Sequence, residues 1–326
     1  MRAIRVRAFG APDVLTLEDV QEPVPGPGEV LVRVGAAGVN PVDTYVRAGT
    51  YSELPALPYT PGSDAGGVVE ALGPGGRGSH GRPRLRAGKR VFTTGSVTGT
   101  YAELAVCRTE QVRTLPDGVS AAQGAALGVP YATAYRALFQ RGRAVAGETL
   151  LVHGASGGVG LAVVQFALAA GLAVIGTAGS EAGRTLVAAQ GVDHVLDHHD
   201  SGHLAEVVEL TAGRGVDLIV ELLANVNLGF DLPVLAMGGR VIVVGSRGRV
   251  EVDPRDLMGR EADVRGMRMP NATPGDLAEA YAAIASGLAD GSLRPVVGRE
   301  LPLAEAPRAH REIIEGKAAG KIVLLP

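Results

Sequence analysis

Up to about residue 120, apolar and polar positions follow one another in short runs broken by Gly and Pro. Examples are Val30-Leu31-Val32-Arg33-Val34, Gly67-Val68-Val69-Glu70-Ala71-Leu72 and Arg90-Val91-Phe92. Such runs predict a compact, mostly antiparallel β domain. Beyond it the texture changes. Residues 125–138 read as helical on either side of Pro130, and strands are expected at 149–153, 173–177, 194–196, 216–221 and 239–245. Helices are expected between them at 159–170, 180–190 and 204–211. Strands alternating with helices imply a right-handed, doubly wound parallel sheet. Leu218-Ile219-Val220 and Val241-Ile242-Val243-Val244 are apolar without a break, which suits strands buried on both faces. Helices at 276–288 and 304–315 and a strand at 321–325 close the chain, and the economical place for this tail is back in the β domain. The fold class expected is therefore α/β, a Rossmann doubly wound parallel sheet plus a mostly antiparallel β domain. The expected division is 1–122, completed by 290–326, and 123–289.

The 326 residues suffice for two cores, and a net charge of −3 argues against holding nucleic acid as a main task. Apolar stretches are interrupted well before the ~18 residues a membrane span needs. Met1-Arg2-Ala3-Ile4-Arg5-Val6-Arg7 reads as a strand rather than a secretion signal, so a cytoplasmic protein is the expectation. The one cysteine, Cys107, lies in a strand-like run and reads as an inert core thiol; a thiolate-rich zinc site would need more. Residues 73–90 are rich in Gly, Pro and basic side chains, and are expected to form a mobile surface loop whose cations either meet phosphates and acidic partners or stay solvated.

Leu150-Leu151-Val152-His153 leads directly into Gly154-Ala155-Ser156-Gly157-Gly158-Val159-Gly160 and then a helical pattern, the context a dinucleotide fingerprint requires. Gly157 and Gly158 would admit a pyrophosphate to the helix N-terminus, and Gly160 would allow close helix–strand packing. Ala155 occupies the position of the second glycine. An acidic residue at the end of the second strand would bind both ribose hydroxyls of NAD. Here that stretch reads Gly176-Thr177-Ala178-Gly179-Ser180-Glu181-Ala182-Gly183-Arg184. Small and hydroxyl residues with Arg184 one turn in favour NADPH, while Glu181 points the other way. Ser156 and His153 look like a nucleophile and base, but G-x-S-x-G is not satisfied and a hydrolase is disfavoured.

The chain resembles the zeta-crystallin-type NADPH:quinone oxidoreductases of the zinc-independent medium-chain dehydrogenase/reductase superfamily. The resemblance is carried by Ala37-Gly38-Val39-Asn40-Pro41-Val42-Asp43-Thr44-Tyr45, Pro58-Tyr59-Thr60-Pro61-Gly62-Ser63-Asp64 and the glycine turn. It is most specific in Leu223-Ala224-Asn225-Val226-Asn227-Leu228 and Val243-Val244-Gly245-Ser246-Arg247-Gly248. It implies a GroES-like catalytic domain joined to a Rossmann domain, with cofactor and substrate in the cleft between them. It also implies cofactor contacts from Tyr45, Ser156, Gly157, Gly158, Val159, Gly179, His198, Asn227, Val244, Gly245, Ser246 and Arg247. Met267, Arg268 and Met269 follow on the nicotinamide side, and Ser180 and Arg184 complete the expected set. Where zinc-binding relatives carry a Cys and a Gly-His-Glu, this chain has Gly38-Val39-Asn40-Pro41 and Gly62-Ser63-Asp64, so no metal-ligand set is expected. The stretch 77–90 looks longer than in the family, and Lys89 replaces a common Asp.

Without a Lewis acid the substrate must accept hydride unaided, as a quinone or activated enone does. The polar cluster Asn40, Asp43, Tyr45 and Tyr51 is expected to face it. Related enoyl reductases end an Asn-x-x-Asp…Gly-x-Tyr pattern on a Tyr, reproduced here by Asn40, Asp43, Gly49 and Tyr51. Tyr51 then either donates a proton to an enolate or only lines the cleft. Three readings follow: quinone reduction, enone or 2-enoyl reduction, and a non-catalytic structural or RNA-binding role. A homodimer or homotetramer is expected, with the runs 240–245 and 249–252 pairing across a two-fold axis.

Overall fold

Six strands build a wholly parallel sheet in the spatial order His194–Leu196, Ala173–Thr177, Thr149–Val152, Val216–Glu221, Leu235–Val243, Asp263–Gly266. The computed structural model describes residues 1–74, 85–316 and 319–326, and this sheet lies in the unit Pro130–Arg294. Helices Gly158–Ala169, Glu181–Ala188, His203–Leu210 and Ala224–Asp231 connect successive strands. Leu150, Leu151, Val152, Leu218, Ile219, Val220, Val241 and Ile242 have no solvent exposure, because helices cover both faces of the central strands. The strand order reverses between Thr149–Val152 and Val216–Glu221. In such sheets the crevice beyond the carboxyl ends of those two strands is where ligands bind.

Two elements were not legible. Asp263–Gly266 is short with one apolar side chain, and Ala224–Asp231 is a helix without a clear period. The first of these moves the sheet edge. Strand Leu235–Val243 is hydrogen-bonded on both sides, so the run 240–245 cannot pair across a two-fold axis as expected, and 249–252 is not a strand. The edge strand at this end of the sheet is Asp263–Gly266. Pro130 is accommodated near the start of helix Gly128–Tyr135, where its missing N–H costs little, and the chain continues as a π-helical stretch, Arg136–Arg141.

The unit Met1–Val129 with Pro295–Pro326 is built on a second sheet, in the order Val297–Pro302, Lys321–Leu325, Glu29–Gly38, Asp64–Leu72, Arg90–Thr93, Val112–Thr114, with Leu104–Arg108 paired to Glu29–Gly38. Only Val297–Pro302 and Lys321–Leu325 run parallel. Ile4, Val6, Val34, Ala37, Leu301 and Ile322 share one core, and Cys107 is buried in another with Val30, Val32 and Val91. Burial pushes the Cys107 thiol up to about 12, which keeps it protonated at neutral pH. Helix Pro41–Ala48 starts on Pro and ends at Gly49, whose φ of 77° suits only glycine well. Most of the expected basic loop, residues 75–84, lies outside the described residues. Arg90 at its end donates to the Asp117 carbonyl at 2.6 Å and serves the fold. No described helix is long and apolar enough to cross a membrane.

Candidate cofactor site and two buried polar clusters

Strand Thr149–Val152 delivers the chain into a turn at Gly154, whose φ is 62°. Gly157 then precedes helix Gly158–Ala169, and the first intrahelical bond runs from Leu161 N–H to the Gly157 carbonyl at 2.9 Å. The N–H groups of Gly158, Val159 and Gly160 come before any helical acceptor, and the helix dipole adds partial positive charge there. The glycines have different tasks. A Cβ on Gly160 would stand 2.4 Å from the Gly154 carbonyl oxygen and 2.6 Å from the Ala155 Cα, so helix packing forbids it. A Cβ on Gly157 would meet nothing nearer than 3.5 Å. The protein itself tolerates a side chain there, and the space it would fill is a cradle at a helix N-terminus that fits a pyrophosphate. Ala155 takes the second glycine position by transferring the demand for smallness. A Cβ on Gly176, in the adjacent strand, would lie 3.1 Å from that of Ala155 and 3.0 Å from Val187.

The end of the second strand is bonded to this turn. Thr177 accepts from Ala155 N–H at 2.8 Å and from Gly154 N–H at 3.2 Å. Ser156 Oγ and Ser180 Oγ both approach Gly183, whose N–H is capped by Ser180 at 3.1 Å. Gly179 gives access to His198, since a Cβ would lie 2.5 Å from its Nε2. Arg184 is paired with Asp197 at 2.7 Å; a backbone N–H from His199 and the guanidinium hold that carboxyl below its usual range. The structure thus brings Ser156, Gly179, Ser180, Arg184 and His198 together, while Glu181 is exposed.

A second strip continues from the neighbouring strands. Ala224 N–H donates to the Gly245 carbonyl at 2.9 Å and Arg247 N–H to Asn225 Oδ1 at 2.7 Å. A Cβ on Gly245 would lie 2.3 Å from the Leu222 carbonyl oxygen, so this approach needs glycine. Val244 N–H donates to Glu221, and Met267 N–H to Val243 at 3.1 Å, leading to Arg268 and the short turn Met269–Asn271. Asn227 Nδ2 donates to Glu221 Oε1 at 3.2 Å.

Beneath this strip lies a cluster that sequence reasoning missed. His153, Glu221 and Asp231 are all buried, with His153 Nε2 2.8 Å from Asp231 Oδ1 and 3.9 Å from Glu221. His153 Nδ1 faces Thr177 Oγ1 at 3.4 Å rather than Ser156, which removes the nucleophile–base arrangement. Among the described residues this is the one close His/Cys/Asp/Glu group of three. Within it His153 and Asp231 are in direct hydrogen-bond contact. A signal existed: a carboxylate closing the otherwise apolar strand Leu218-Ile219-Val220-Glu221 is anomalous where both faces are buried.

The other unit holds a matching cluster. Asn40 N–H donates to Asp43 Oδ2 at 2.9 Å at the start of helix Pro41–Ala48, and Asn40 Nδ2 donates to Asp64 Oδ2 at 2.9 Å. Lys321 Nζ donates to Asn40 Oδ1 and stands 3.5 Å from Asp64 Oδ2, while Asp64 Oδ1 accepts from Val129 N–H at 2.9 Å. Tyr101 OH donates to Asp43 at 3.1 Å and touches His310 Nε2 at 3.2 Å. Burial pushes Asp43 up to about 6 and lowers Lys321, each opposed by the other's charge. Of the four expected catalytic residues, Asn40 and Asp43 are buried and committed to this cluster, whereas Tyr45 and Tyr51 remain half-buried. Asp43 also borders a cavity of about 430 Å³ with Arg5, Tyr59, Thr60, Ser63 and Thr98. Asp64 and Lys321 went unnoticed because Lys321 reads as the polar start of an apolar strand.

The model of the zinc-binding dehydrogenase family matches residues 158–286, and that of the alcohol dehydrogenase GroES-like domain matches 26–117. Over 327 residues the chain is 46% identical to the quinone oxidoreductase of Homo sapiens, covering 100% of this chain and 98% of that one. Among solved structures it is similar to Escherichia coli quinone oxidoreductase complexed with NADPH, at 28% identity, a TM-score of 0.89 and full coverage of both chains. A mycobacterial protein complexed with NADPH matches at 32% identity and a TM-score of 0.90, again over both whole chains. A Rossmann-type sheet with this glycine turn and a GroES-like β unit define the medium-chain dehydrogenase/reductase superfamily. Within it the chain belongs to the quinone oxidoreductase family.

Proposed function

We propose that the protein is an NADPH-dependent quinone oxidoreductase that passes hydride from NADPH to a quinone. The observation that carries this reading is the anion cradle at Gly157, open at the helix N-terminus beyond the carboxyl end of strand Thr149–Val152. Identity to quinone oxidoreductases over the full length supports it. Bound NADPH supplies the hydride, and the chain binds it, orients it and excludes water.

In this reading Ser156, Gly157, Gly158 and Val159 hold the pyrophosphate. Ser180 and Arg184 take the 2′-phosphate, Arg184 exchanging Asp197 for it, and Gly179 and His198 border the adenosine. Asn227, 244–247 and 267–269 serve the nicotinamide side with Tyr45. Residues 1–122 with 290–326 form the catalytic domain and 123–289 the cofactor domain. Asn40 and Asp43 act as positioning residues, and Tyr51 is the group offered to the acceptor. In this reading no metal takes part.

Assembly as a homodimer of the zeta-crystallin type, in the cytoplasm, completes the reading. Its support is the edge strand Asp263–Gly266 with exposed Met237, Met258 and Val264. Light scattering that gives only monomer mass removes it. NADPH oxidation assayed with quinones, enones and enoyl thioesters tests the activity. Turnover of quinones is the expected result, and NADPH binding without turnover of any acceptor overturns it. Tyr51→Phe is expected to impair enone reduction more than quinone reduction; equal effects exclude proton donation by Tyr51.

A further inference from the structure

Glu221 and Asp231 are fully buried, and each has one carboxyl oxygen committed. Glu221 Oε1 accepts from Leu223 N–H and from Asn227 Nδ2, and Asp231 Oδ1 contacts His153 Nε2. The other two oxygens, Glu221 Oε2 and Asp231 Oδ2, are buried without a hydrogen-bond partner. A carboxyl oxygen of each lies within 4.8 Å of the other, but two ionised carboxylates have four acceptors and no donor. Among the described residues no Arg or Lys forms an ion pair with either of them, and the basic side chain beside them is His153.

His153 does not resolve the deficit. Burial holds it below its usual range, and its neighbours assign one tautomer: Nε2–H donates to Asp231, and Nδ1 accepts from the Thr177 hydroxyl, which itself accepts from Gly154 N–H. Two further histidines approach His153 and Thr177 rather than the pair itself. His203, on helix His203–Leu210, sets its ring edge-on to His153 at 6.3 Å, and His198 reaches the same Thr177 hydroxyl at 3.5 Å. None supplies a proton donor to the orphaned oxygens.

We propose that Glu221 and Asp231 share one acidic proton between Oε2 and Oδ2, and that this singly protonated pair positions Asn227 and the 222–231 segment for the cofactor. The proton gives both orphaned oxygens a partner and removes one of two buried negative charges. It acts on the site through geometry. Helix Ala224–Asp231 is tied at its start to Glu221, through Leu223 and Asn227, and at its end to His153, through Asp231. The same segment carries the bonds to Gly245 and Arg247. Loss of the proton sets two carboxylates against each other at opposite ends of that clamp. The positioning half of the proposal rests on the cofactor reading of Asn227; the shared proton does not.

Infrared difference spectroscopy of the full-length protein near pH 7 should show a protonated-carboxyl band in the wild type that Asp231→Asn and Glu221→Gln each remove, because either amide puts a permanent donor where the proton sits. NADPH titration followed by fluorescence between about pH 6 and 9 should show a dissociation constant that rises about tenfold in the wild type, one linked proton giving at most about tenfold per pH unit. Asp231→Asn should flatten that rise, and comparing the two proteins cancels the titration of NADPH itself. Glu221→Leu, which cannot hold Leu223 or Asn227, should weaken NADPH binding at least about tenfold, the size of a lost charge-assisted hydrogen bond. Should Glu221→Leu fail to fold, the two amide variants still decide. An unchanged carboxyl band in both amide variants, or parallel pH curves for wild type and Asp231→Asn, overturns the shared proton. Wild-type affinity in a folded Glu221→Leu overturns the positioning role. A wild type that binds no NADPH at any pH overturns the cofactor reading, and the infrared result still judges the proton.

Discussion

Two clusters of comparable burial are compensated in opposite ways. In the GroES-like unit, Asp64 and Asp43 are buried with Lys321, and their oxygens accept from Asn40, Val129 and Tyr101. In the Rossmann unit, Glu221 and Asp231 are equally inaccessible but have a histidine in place of a lysine, and two oxygens lack partners. A lysine makes the first cluster a structural joint, tying the C-terminal strand Lys321–Leu325 to the helix start at Asn40. The second has to be completed by a proton, so its state depends on the medium. The lesson is that burial of charge does not by itself mark a site; what matters is whether the fold supplies the counter-charge.

The most direct way to break the contrast is Lys321→Met. It leaves Asp64 buried without its cation, and the expected loss is about 3–5 kcal/mol, read as a lower denaturation midpoint. Adding Asp64→Asn to it should recover part of that loss, since an amide oxygen can still accept from Val129 N–H; a strictly additive double variant would show that the two groups do not interact.

The glycine turn sharpens the comparison from the Rossmann side. Gly160→Ala should cost about 1–3 kcal/mol through the 2.4 Å approach to Gly154. Gly157→Val should leave the melting temperature near that of the wild type while weakening NADPH binding, because the space it enters belongs to the ligand. Equal thermal losses in the two variants would contradict that division of labour.

Asp43 tests the first cluster by pH. Burial raises its carboxyl to about 6, so the stability it contributes is complete below its ordinary value near 4 and is lost as pH rises through about 6. Asp43→Asn should flatten the melting temperature over that window, and an unaltered slope would show that another group titrates there. The least effect on stability is expected from Arg184→Ala, whose pair with Asp197 is partly exposed and worth at most about 1 kcal/mol. Its effect belongs to selectivity: the preference for NADPH over NADH should fall several-fold, measured as the ratio of kcat/KM values.

Much of this was legible along the chain. Period-two runs announced the β unit, and continuous apolar runs such as Leu218-Ile219-Val220 announced central strands, because burial on both faces leaves a strong local pattern. The glycine turn was legible because its demands are backbone demands. Strand Asp263–Gly266 and helix Ala224–Asp231 were not, since an edge strand and a short helix held by polar contacts leave little periodicity. With that strand unseen, the run 240–245 was mistaken for a free edge.

The sequence alone therefore determined the α/β class, the place of the nucleotide turn and the family resemblance, all of which rest on local residue order. The tertiary structure decided which polar groups meet. Asn40 and Lys321 are 281 positions apart and His153 and Asp231 are 78 apart, yet each pair is in hydrogen-bond contact. Whether a buried charge finds a cation, as Asp64 does, or waits on a proton, as Glu221 and Asp231 do, is a property of that meeting, because the cost of a buried charge depends on what lies within a few ångströms in space.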